Sequence, residues 1–308
     1  MCDTCGCGLP GEQVRILKPG EDQDTLPHIH LHTLTHEHSH THSGQEHSHV
    51  HVHGGRDDNE HPLSAGHDHH TGHSHDQDHL HSHVQDHLSE GSRIIKVEQD
   101  ALGRNQLLAE RNRGYFDALQ ILALNLVSSP GSGKTSLIER TIREMKGRLS
   151  LCIIEGDQQT MNDAGRIHAA GAPVVQVNTG QGCHLDADMV GRALKVLDPP
   201  SDALLIIENV GNLVCPALFD LGESKRVVIM SVTEGEDKPV KYPYMFKSSG
   251  LCIINKTDLL PYLDYDLGKA LEYVRMVNPD MKIIELSVRT GEGMELWYDW
   301  LRQEKAGL

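Results

Sequence analysis

Residues 121–135, ILALNLVSSPGSGKT, decide the fold of this chain. The stretch begins as an apolar run of strand length. It ends in residues 128–135, which match a phosphate-binding loop except that Ser128 stands where the pattern has glycine. A helical pattern follows at residues 136–145. Small residues let successive N–H groups surround an anion, and the helix N-terminus adds about half a positive charge. The stretch therefore predicts a strand, a phosphate-binding loop and a helix, provided that the φ of Ser128 is negative.

The side chains of this loop have distinct predicted roles. Lys134 would reach the outer phosphates and take part in catalysis, and the Thr135 hydroxyl would be a ligand of Mg²⁺. The residues predicted to hold the nucleotide are Gly131, Ser132, Gly133, Lys134, Thr135 and Ser136.

A second nucleotide motif, Asn255-Lys256-Thr257-Asp258, follows an apolar run at residues 250–254. The Asp258 carboxylate can accept hydrogen bonds from both N1 and the 2-amino group of guanine, a pair of donors that adenine lacks. Lys256 would lie along the base plane, and Asn255 would brace the loops. Ser287 opens residues 287–290, where backbone N–H groups would complete the base pocket. The motif therefore predicts GTP rather than ATP as the nucleotide.

Two acidic strand ends carry further candidates, Asp157 in residues 154–157 and Glu208 in residues 207–211. Either carboxylate is expected to bind Mg²⁺, directly or through water, or to orient the attacking water. Gly211 can swing to sense the γ-phosphate. The alternative is that both acids are ordinary solvated strand ends.

Apolar runs alternate with helical patterns after the loop. This alternation predicts an α/β fold over residues 118–308, a mostly parallel sheet with helices on both faces as in P-loop GTPases. A helix at residues 93–117, with Leu107, Leu108 and residues 111–116 at helical spacing, is expected to dock on this domain. In the last helix Leu296, Trp297, Trp300 and Leu301 are expected to share a core face. The predicted strands are 149–154, 174–177, 203–210, 226–232, 250–255 and 282–288, and the helices between and after them lie near 160–170, 184–197, 264–277 and 293–304.

The amino-terminal third has a different composition. Of the 23 histidines, 21 lie between His28 and His87, without an apolar face, which predicts a disordered histidine-rich segment over residues 9–92. Imidazoles bind Ni, Zn, Cu and Co at neutral pH, so the tract is interpreted as a metal store rather than a solvating linker. Cys2, Cys5 and Cys7, in residues 1–8, can converge on one soft cation, although they could also be a flexible end that merely oxidises.

Charge and hydropathy bear on partners and location. The formal net charge of −16, without a basic stripe, argues against nucleic acid. No apolar stretch approaches 18 residues, so no membrane partner is expected. Seven cysteines, an odd number, fit a reducing compartment, and a cytoplasmic location is expected.

A third group of candidate ligands consists of Cys183, His184 and Cys215. Adjacent side chains on a loop can converge, and residues 180–182 provide such a loop. Two thiolates and an imidazole suit zinc or nickel and leave one position for water or a second subunit. The alternative is two unrelated half-buried cysteines.

These motifs together resemble the HypB-type hydrogenase nickel-incorporation GTPases, which belong to the signal-recognition-particle/MinD-like (SIMIBI) class of P-loop GTPases. The resemblance spans nearly the whole chain. It rests on the amino-terminal cysteines, the histidine tract and residues 125–135, 155–157, 182–186, 208–216 and 255–258.

The resemblance implies a high-affinity nickel site at Cys2, Cys5 and Cys7 and a weaker nickel or zinc site at Cys183, His184 and Cys215. It implies slow, Mg²⁺-dependent GTP hydrolysis and a GTP-promoted homodimer. The implied partners are a zinc-containing nickel chaperone of the HypA type and the precursor of a hydrogenase large subunit. The implied function is nickel delivery for hydrogenase maturation, with nickel storage in the histidine tract.

Two alternatives remain open at this point. The first is a nickel or zinc storage protein with a vestigial nucleotide site, against which the complete set Lys134, Thr135, Asp157 and Asp258 argues. The second is a urease-type nickel-insertion GTPase, against which the amino-terminal cysteine motif argues. An ATP-dependent kinase is disfavoured by Asp258.

Overall fold

The structure, a computed structural model, describes residues 14–19, 35–42, 45–52, 90–157, 162–180 and 182–308. The chain forms two units, one from Asp22–His87 and the other from Met1–Glu21 with Leu88–Leu308. In the first unit the described residues form an antiparallel pair of strands, β2 (Thr35–His42) and β3 (Gln45–Val52). Cys2, Cys5, Cys7 and most of the predicted disordered segment lie outside the described residues.

The second unit is built on an eight-stranded sheet, in which seven strands are parallel and one edge strand is antiparallel. The α/β prediction is confirmed, and the predicted strands and helices agree with the structure to within a few residues at their ends. The strands are β1 (Arg15–Leu17), β4 (Leu122–Ser128), β5 (Leu151–Asp157), β6 (Val174–Asn178), β7 (Leu204–Glu208), β8 (Lys225–Ser231), β9 (Leu251–Asn255) and β10 (Lys282–Glu285), in the spatial order β1-β6-β5-β7-β4-β8-β9-β10.

Helices cover both faces of this sheet because alternate residues of the buried strands point to opposite sides. One face packs on the helices at residues 134–145, 162–170 and 294–306. The other face packs on the helices at residues 90–119, 187–197 and 267–277. The helices are α1 (Glu90–Leu119), α2 (Lys134–Met145), α3 (Asn162–Ala170), α4 (Ala187–Leu197), α5 (Lys238–Lys241), α6 (Pro243–Lys247), α7 (Leu267–Val277) and α8 (Met294–Ala306), with short 3₁₀ helices at Cys215–Ala217 and Thr257–Tyr262. None of these helices has the length and hydropathy of a membrane span within the described residues.

Helix α1 docks on the domain as expected, although only some of the residues that the sequence pattern indicated make the contact. Leu107 is 75% exposed, whereas Ala109 and Phe116 are buried. Two asparagines complete the contact: Asn105 donates to the Asp220 carbonyl at 2.8 Å, and Asn112 donates to the Ala187 carbonyl at 2.8 Å. The docking face is therefore partly polar, which a search for apolar periodicity overlooks.

Two further expectations need correction. Leu296 is 57% exposed, although Trp297, Trp300 and Leu301 are buried as expected. The stretch Arg15–Leu17, placed by the sequence in a disordered segment, is strand β1 and pairs with β6. Leu17 is buried in this edge of the sheet.

Candidate functional site

The loop between β4 and α2 has the curled backbone that the sequence predicts. Gly131 and Gly133 have φ values of 76° and 100°, in the left-handed region that favours glycine. A Cβ at Gly133 would collide with the Asn255 side-chain amide. Ser128 belongs to the extended strand β4, so serine is compatible with its backbone.

The Ser128 hydroxyl organises the loop from within. Lys134 Nζ donates to Ser128 Oγ at 2.7 Å, and Ser132 Oγ donates to the same oxygen at 2.6 Å. Burial lowers the pKa of Lys134, while the nearby Glu208 carboxylate opposes that shift. Lys134 is therefore a partly desolvated cation held by a neutral hydroxyl, which leaves its charge available to an anion.

Three carboxylates face the loop from the ends of β5 and β7. Thr135 Oγ1 donates to Glu208 Oε1 at 2.7 Å, and Asp157 lines the same cavity. Glu155 also lines it and lies beside Glu208 in the register of the two strands. Of the residues that the sequence predicted, Lys134, Thr135, Asp157 and Glu208 are thus brought together around one cavity of about 630 Å³.

Burial has a strong effect on two of these acids. It raises the pKa of Glu208 to about 7, against the opposing influence of Lys134 and Thr135. It raises the pKa of Glu155 to about 9, and the charge of Glu208 adds to this shift. Within the described residues, Glu155 Oε2 and Glu208 Oε2 are buried without a hydrogen-bond partner. An oxygen-rich set with unsatisfied buried atoms fits Mg²⁺, which would compensate both charges.

The base-recognition motif lies next to this loop. Asn255 donates to the Ser132 carbonyl at 2.8 Å, and Lys256 Nζ donates to the Gly131 carbonyl at 2.7 Å. Ser287 Oγ donates to Asp258 Oδ1 at 2.6 Å. A second cavity, of about 540 Å³, is lined by Asn255, Lys256 and Asp258 and shares Gly133, Ser136 and Lys256 with the first. The two cavities together can take a phosphate chain at one end and a base at the other.

The three candidate soft ligands also come together. The ligand atoms of Cys183, His184 and Cys215 all lie within 4.8 Å of one another, with Cys183 Sγ 3.6 Å from His184 Nδ1. The His184 ring packs on Phe219 at a centroid distance of 4.0 Å. Burial lowers the pKa of His184, although the charge of Asp186 works against this. A neutral, braced imidazole between two thiols is a donor set for a soft or borderline cation.

This cluster is joined to the phosphate cavity by Cys183 itself, which lines that cavity. Asn209, the neighbour of Glu208, accepts a hydrogen bond from the Leu185 N–H at 3.1 Å. Asn212 donates to the Cys183 carbonyl at 3.4 Å. The segment after β7 therefore holds the turn that presents Cys183 and His184.

Sequence reasoning missed two residues of this site. Glu155 was passed over in favour of Asp157, although residues two apart on a strand share a face and both reach the cavity. Asn209 gave no signal, because a buried asparagine that links two loops depends on the tertiary structure. The acid at position 155 could have been found from this two-residue spacing.

The fold and the two joined cavities define a P-loop nucleotide-binding protein of the GTPase class. The family model for the CobW/HypB/UreG nucleotide-binding domain matches residues 122–285. The hydrogenase maturation factor HypB of Azotobacter vinelandii is 58% identical over 214 residues, which are 70% of this chain and 71% of that protein.

Two solved structures are also similar. The HypB structure from Archaeoglobus fulgidus is 41% identical, with a TM-score of 0.62, and the match covers 66% of this chain and 99% of that one. The structure of HypB from Helicobacter pylori in complex with nickel is 34% identical, with a TM-score of 0.63, and the match covers 66% of this chain and 96% of that one. The chain belongs to the CobW/HypB/UreG family and, within it, to the HypB hydrogenase maturation factors.

Proposed function

We propose that this protein is a GTP-hydrolysing nickel metallochaperone that delivers nickel for the maturation of a nickel–iron hydrogenase. The observation that carries the proposal is the position of Cys183, which belongs to the thiol–imidazole cluster and also lines the phosphate cavity. A bound nucleotide and a bound metal would then be neighbours. Such an arrangement suits a switch better than two independent sites.

The nucleotide half of the proposal uses the residues of the loop. Lys134 leaves the Ser128 hydroxyl and pairs with the outer phosphates of GTP, while Gly131, Ser132, Gly133 and Ser136 surround the phosphates. Asp157 or Glu208 orients the water that attacks the γ-phosphorus, and cleavage yields GDP and phosphate. Thr135 and the adjacent carboxylates would hold Mg²⁺, which would supply positive charge near the phosphate oxygens. Asp258 reads the guanine edge, with Lys256 along the base and Ser287 at the pocket rim.

The metal half of the proposal treats nickel, or zinc in its place, as cargo. Cys183, His184 and Cys215 hold it as thiolates and a neutral imidazole, and the similar HypB structure from Helicobacter pylori was solved in complex with nickel. A fourth ligand comes from water or from the second subunit of a GTP-promoted homodimer. Cys2, Cys5 and Cys7 form a tighter nickel site, and the histidine tract stores nickel.

The remaining parts of the proposal concern the cellular setting. The protein works in the cytoplasm with a zinc-containing nickel chaperone of the HypA type and with the precursor of a hydrogenase large subunit. The sequence similarity to hydrogenase maturation factors supports these two partners. The urease-type alternative has weaker support because the relative named above is a hydrogenase factor.

The test of the nucleotide half is a GTPase assay on wild type and on Lys134→Ala, with and without Ni²⁺. The substitution should lower turnover by at least about 100-fold, since the transferred phosphoryl group loses its fixed cation. Lys146→Ala, on the surface beyond α2, is the control and should keep wild-type turnover. Equal turnover in wild type and Lys134→Ala would contradict the assignment and favour a storage protein with a vestigial nucleotide site.

A further inference from the structure

Arg140, on the helix that follows the phosphate loop, reaches across to the loop that rims the base cavity. Its Nη1 donates to the Val288 carbonyl at 2.6 Å and to the Arg289 carbonyl at 3.4 Å. Its Nε donates to Glu144 at 2.7 Å, which fixes the guanidinium on the helix surface. One side chain thus ties residues 288 and 289 to helix α2.

The base loop is shaped to accommodate this guanidinium. Gly291 has a φ of 94°, and a Cβ there would lie 2.5 Å from Arg140 Nη2. Any other residue would carry both backbone strain and a clash with the guanidinium. The loop therefore packs against the Arg140 guanidinium at Gly291, where the absence of a Cβ allows the close contact.

The same loop fixes the groups predicted to read the base. Ser287 Oγ donates to Asp258 Oδ1 at 2.6 Å, and the Val288 N–H donates to Asn255 Oδ1 at 3.2 Å. A shift of residues 287–291 would therefore turn the Asp258 carboxylate and the Asn255 amide together. Because Arg140 holds the carbonyl of Val288, it sets the position of this unit relative to the phosphate loop.

We infer that Arg140 is a positioning residue for guanine recognition, which holds the base loop at a fixed distance from the phosphate-binding helix. The inference rests on the proposed GTP site and adds a determinant that no base-recognition motif contains. Arg140 also lines the base cavity, but its guanidinium donates to Glu144 and to two carbonyls of the loop, so its main effect on the base is exerted through the loop. It is expected to affect base affinity and to leave phosphate affinity and the chemical step nearly unchanged.

The experiment compares Arg140→Ala with Lys146→Ala in the full-length protein. Lys146 directly follows the same helix, is exposed and is not among the residues that line either cavity. The dissociation constants of GDP and of inorganic tripolyphosphate are measured by calorimetry, together with kcat at saturating GTP. For Arg140→Ala we expect a GDP dissociation constant about 10-fold higher, equivalent to about 1.4 kcal/mol, with less than about twofold change in tripolyphosphate affinity and in kcat. Lys146→Ala should match wild type.

A conservative variant and a reciprocal variant complete the test. Arg140→Lys keeps one donor and should recover part of the lost GDP affinity. Gly291→Ala should weaken GDP binding by itself, because its Cβ would clash with the Arg140 guanidinium. In the double variant that clash is absent, so the GDP dissociation constant should rise by less than the product of the two single-variant increases. Equal losses for GDP and tripolyphosphate, or wild-type GDP affinity in both Arg140 variants, would overturn the inference. Failure of wild type to prefer GDP to ADP would instead contradict the GTP site itself.

Discussion

At the scale of single residues, the site concentrates buried charge around a space that is shaped for an anion and a cation. Glu155 and Glu208 are neighbours on adjacent strands, both almost fully buried, and each has an oxygen without a hydrogen-bond partner among the described residues. Lys134 is the nearby cation, and its ammonium is held by the Ser128 hydroxyl. Such a cluster is expected to destabilise the free protein, and bound Mg²⁺ and nucleotide would offset that cost.

The Glu155→Gln substitution tests whether the buried Glu155 carboxyl group destabilises the free protein. The folded pKa of Glu155 is raised to about 9, above that of an exposed glutamate, so the unfolded chain releases the proton first. The contribution of Glu155 to the free energy of unfolding of wild type therefore falls as pH rises from about 5 towards 9. Without Mg²⁺ and nucleotide, Glu155→Gln should raise the midpoint of thermal unfolding at pH 8 by roughly 2–6 °C, with a smaller gain at pH 5.

The control for this prediction is Glu285→Gln, an exposed acid on β10, which should change the midpoint little at either pH. With Mg²⁺ and GDP present, the unfolding midpoint of wild type should rise to that of Glu155→Gln, because the cation compensates the negative charge of the carboxylates. A lower midpoint for Glu155→Gln at pH 8 would show that the carboxylate already has a stabilising partner.

At the scale of elements, the parallel sheet was predictable because long apolar runs alternate with helical patterns, whereas the order of its strands was not. Strand β1 was not predictable, since three residues, Arg15–Leu17, carry too little periodicity to stand out beside a histidine-rich tract. The docking face of α1 was predictable only in part: Phe116 is buried, as the helical spacing indicates, whereas Leu107 is exposed and the hydrogen bonds of Asn105 and Asn112 give no apolar signal. The cluster of Cys183, His184 and Cys215 was anticipated from chemistry, but its proximity to the phosphates depends on the strand order.

Strand β1 provides a prediction at this scale. Leu17 is buried at the edge of the sheet, whereas Arg15 is exposed. Leu17→Ala should lower the free energy of unfolding by about 2 kcal/mol, the low end for a buried leucine, because an edge strand can relax around the cavity. Arg15→Ala should change it little. Urea unfolding of both variants checks this, and equal stability of Leu17→Ala and wild type would mean that β1 does not contribute to the folded sheet in solution.

At the scale of the whole molecule, two groups of potential metal ligands accompany one nucleotide domain. The histidine-rich unit, Asp22–His87, is separate from the unit that contains the sheet. The cluster of Cys183, His184 and Cys215, by contrast, lies within the domain and shares Cys183 with the phosphate cavity. In the proposed function, the histidine-rich unit would store nickel independently of nucleotide, and the cluster would release nickel in response to the bound nucleotide.

In the proposed function, the link between metal and nucleotide would run through the segment after β7. Glu208 accepts a hydrogen bond from Thr135, Asn209 accepts one from the Leu185 N–H, and Cys215 follows on the same segment. A shift of this segment between the GTP and GDP states would move Cys215 relative to Cys183 and His184. Linkage then requires that nickel change nucleotide affinity by the same factor by which nucleotide changes nickel affinity.

The central claim is tested most directly by a Ni²⁺ titration of protein that lacks residues 28–87 and carries serine in place of Cys2, Cys5 and Cys7. This variant keeps β1, and the cluster of Cys183, His184 and Cys215 is then the nickel site under measurement. With Mg²⁺ present, the nickel dissociation constants with a non-hydrolysable GTP analogue and with GDP should differ by about 5- to 150-fold. Cys215→Ala should remove that difference. Equal nickel affinities in the two nucleotide states would contradict the claim that GTP controls the metal site.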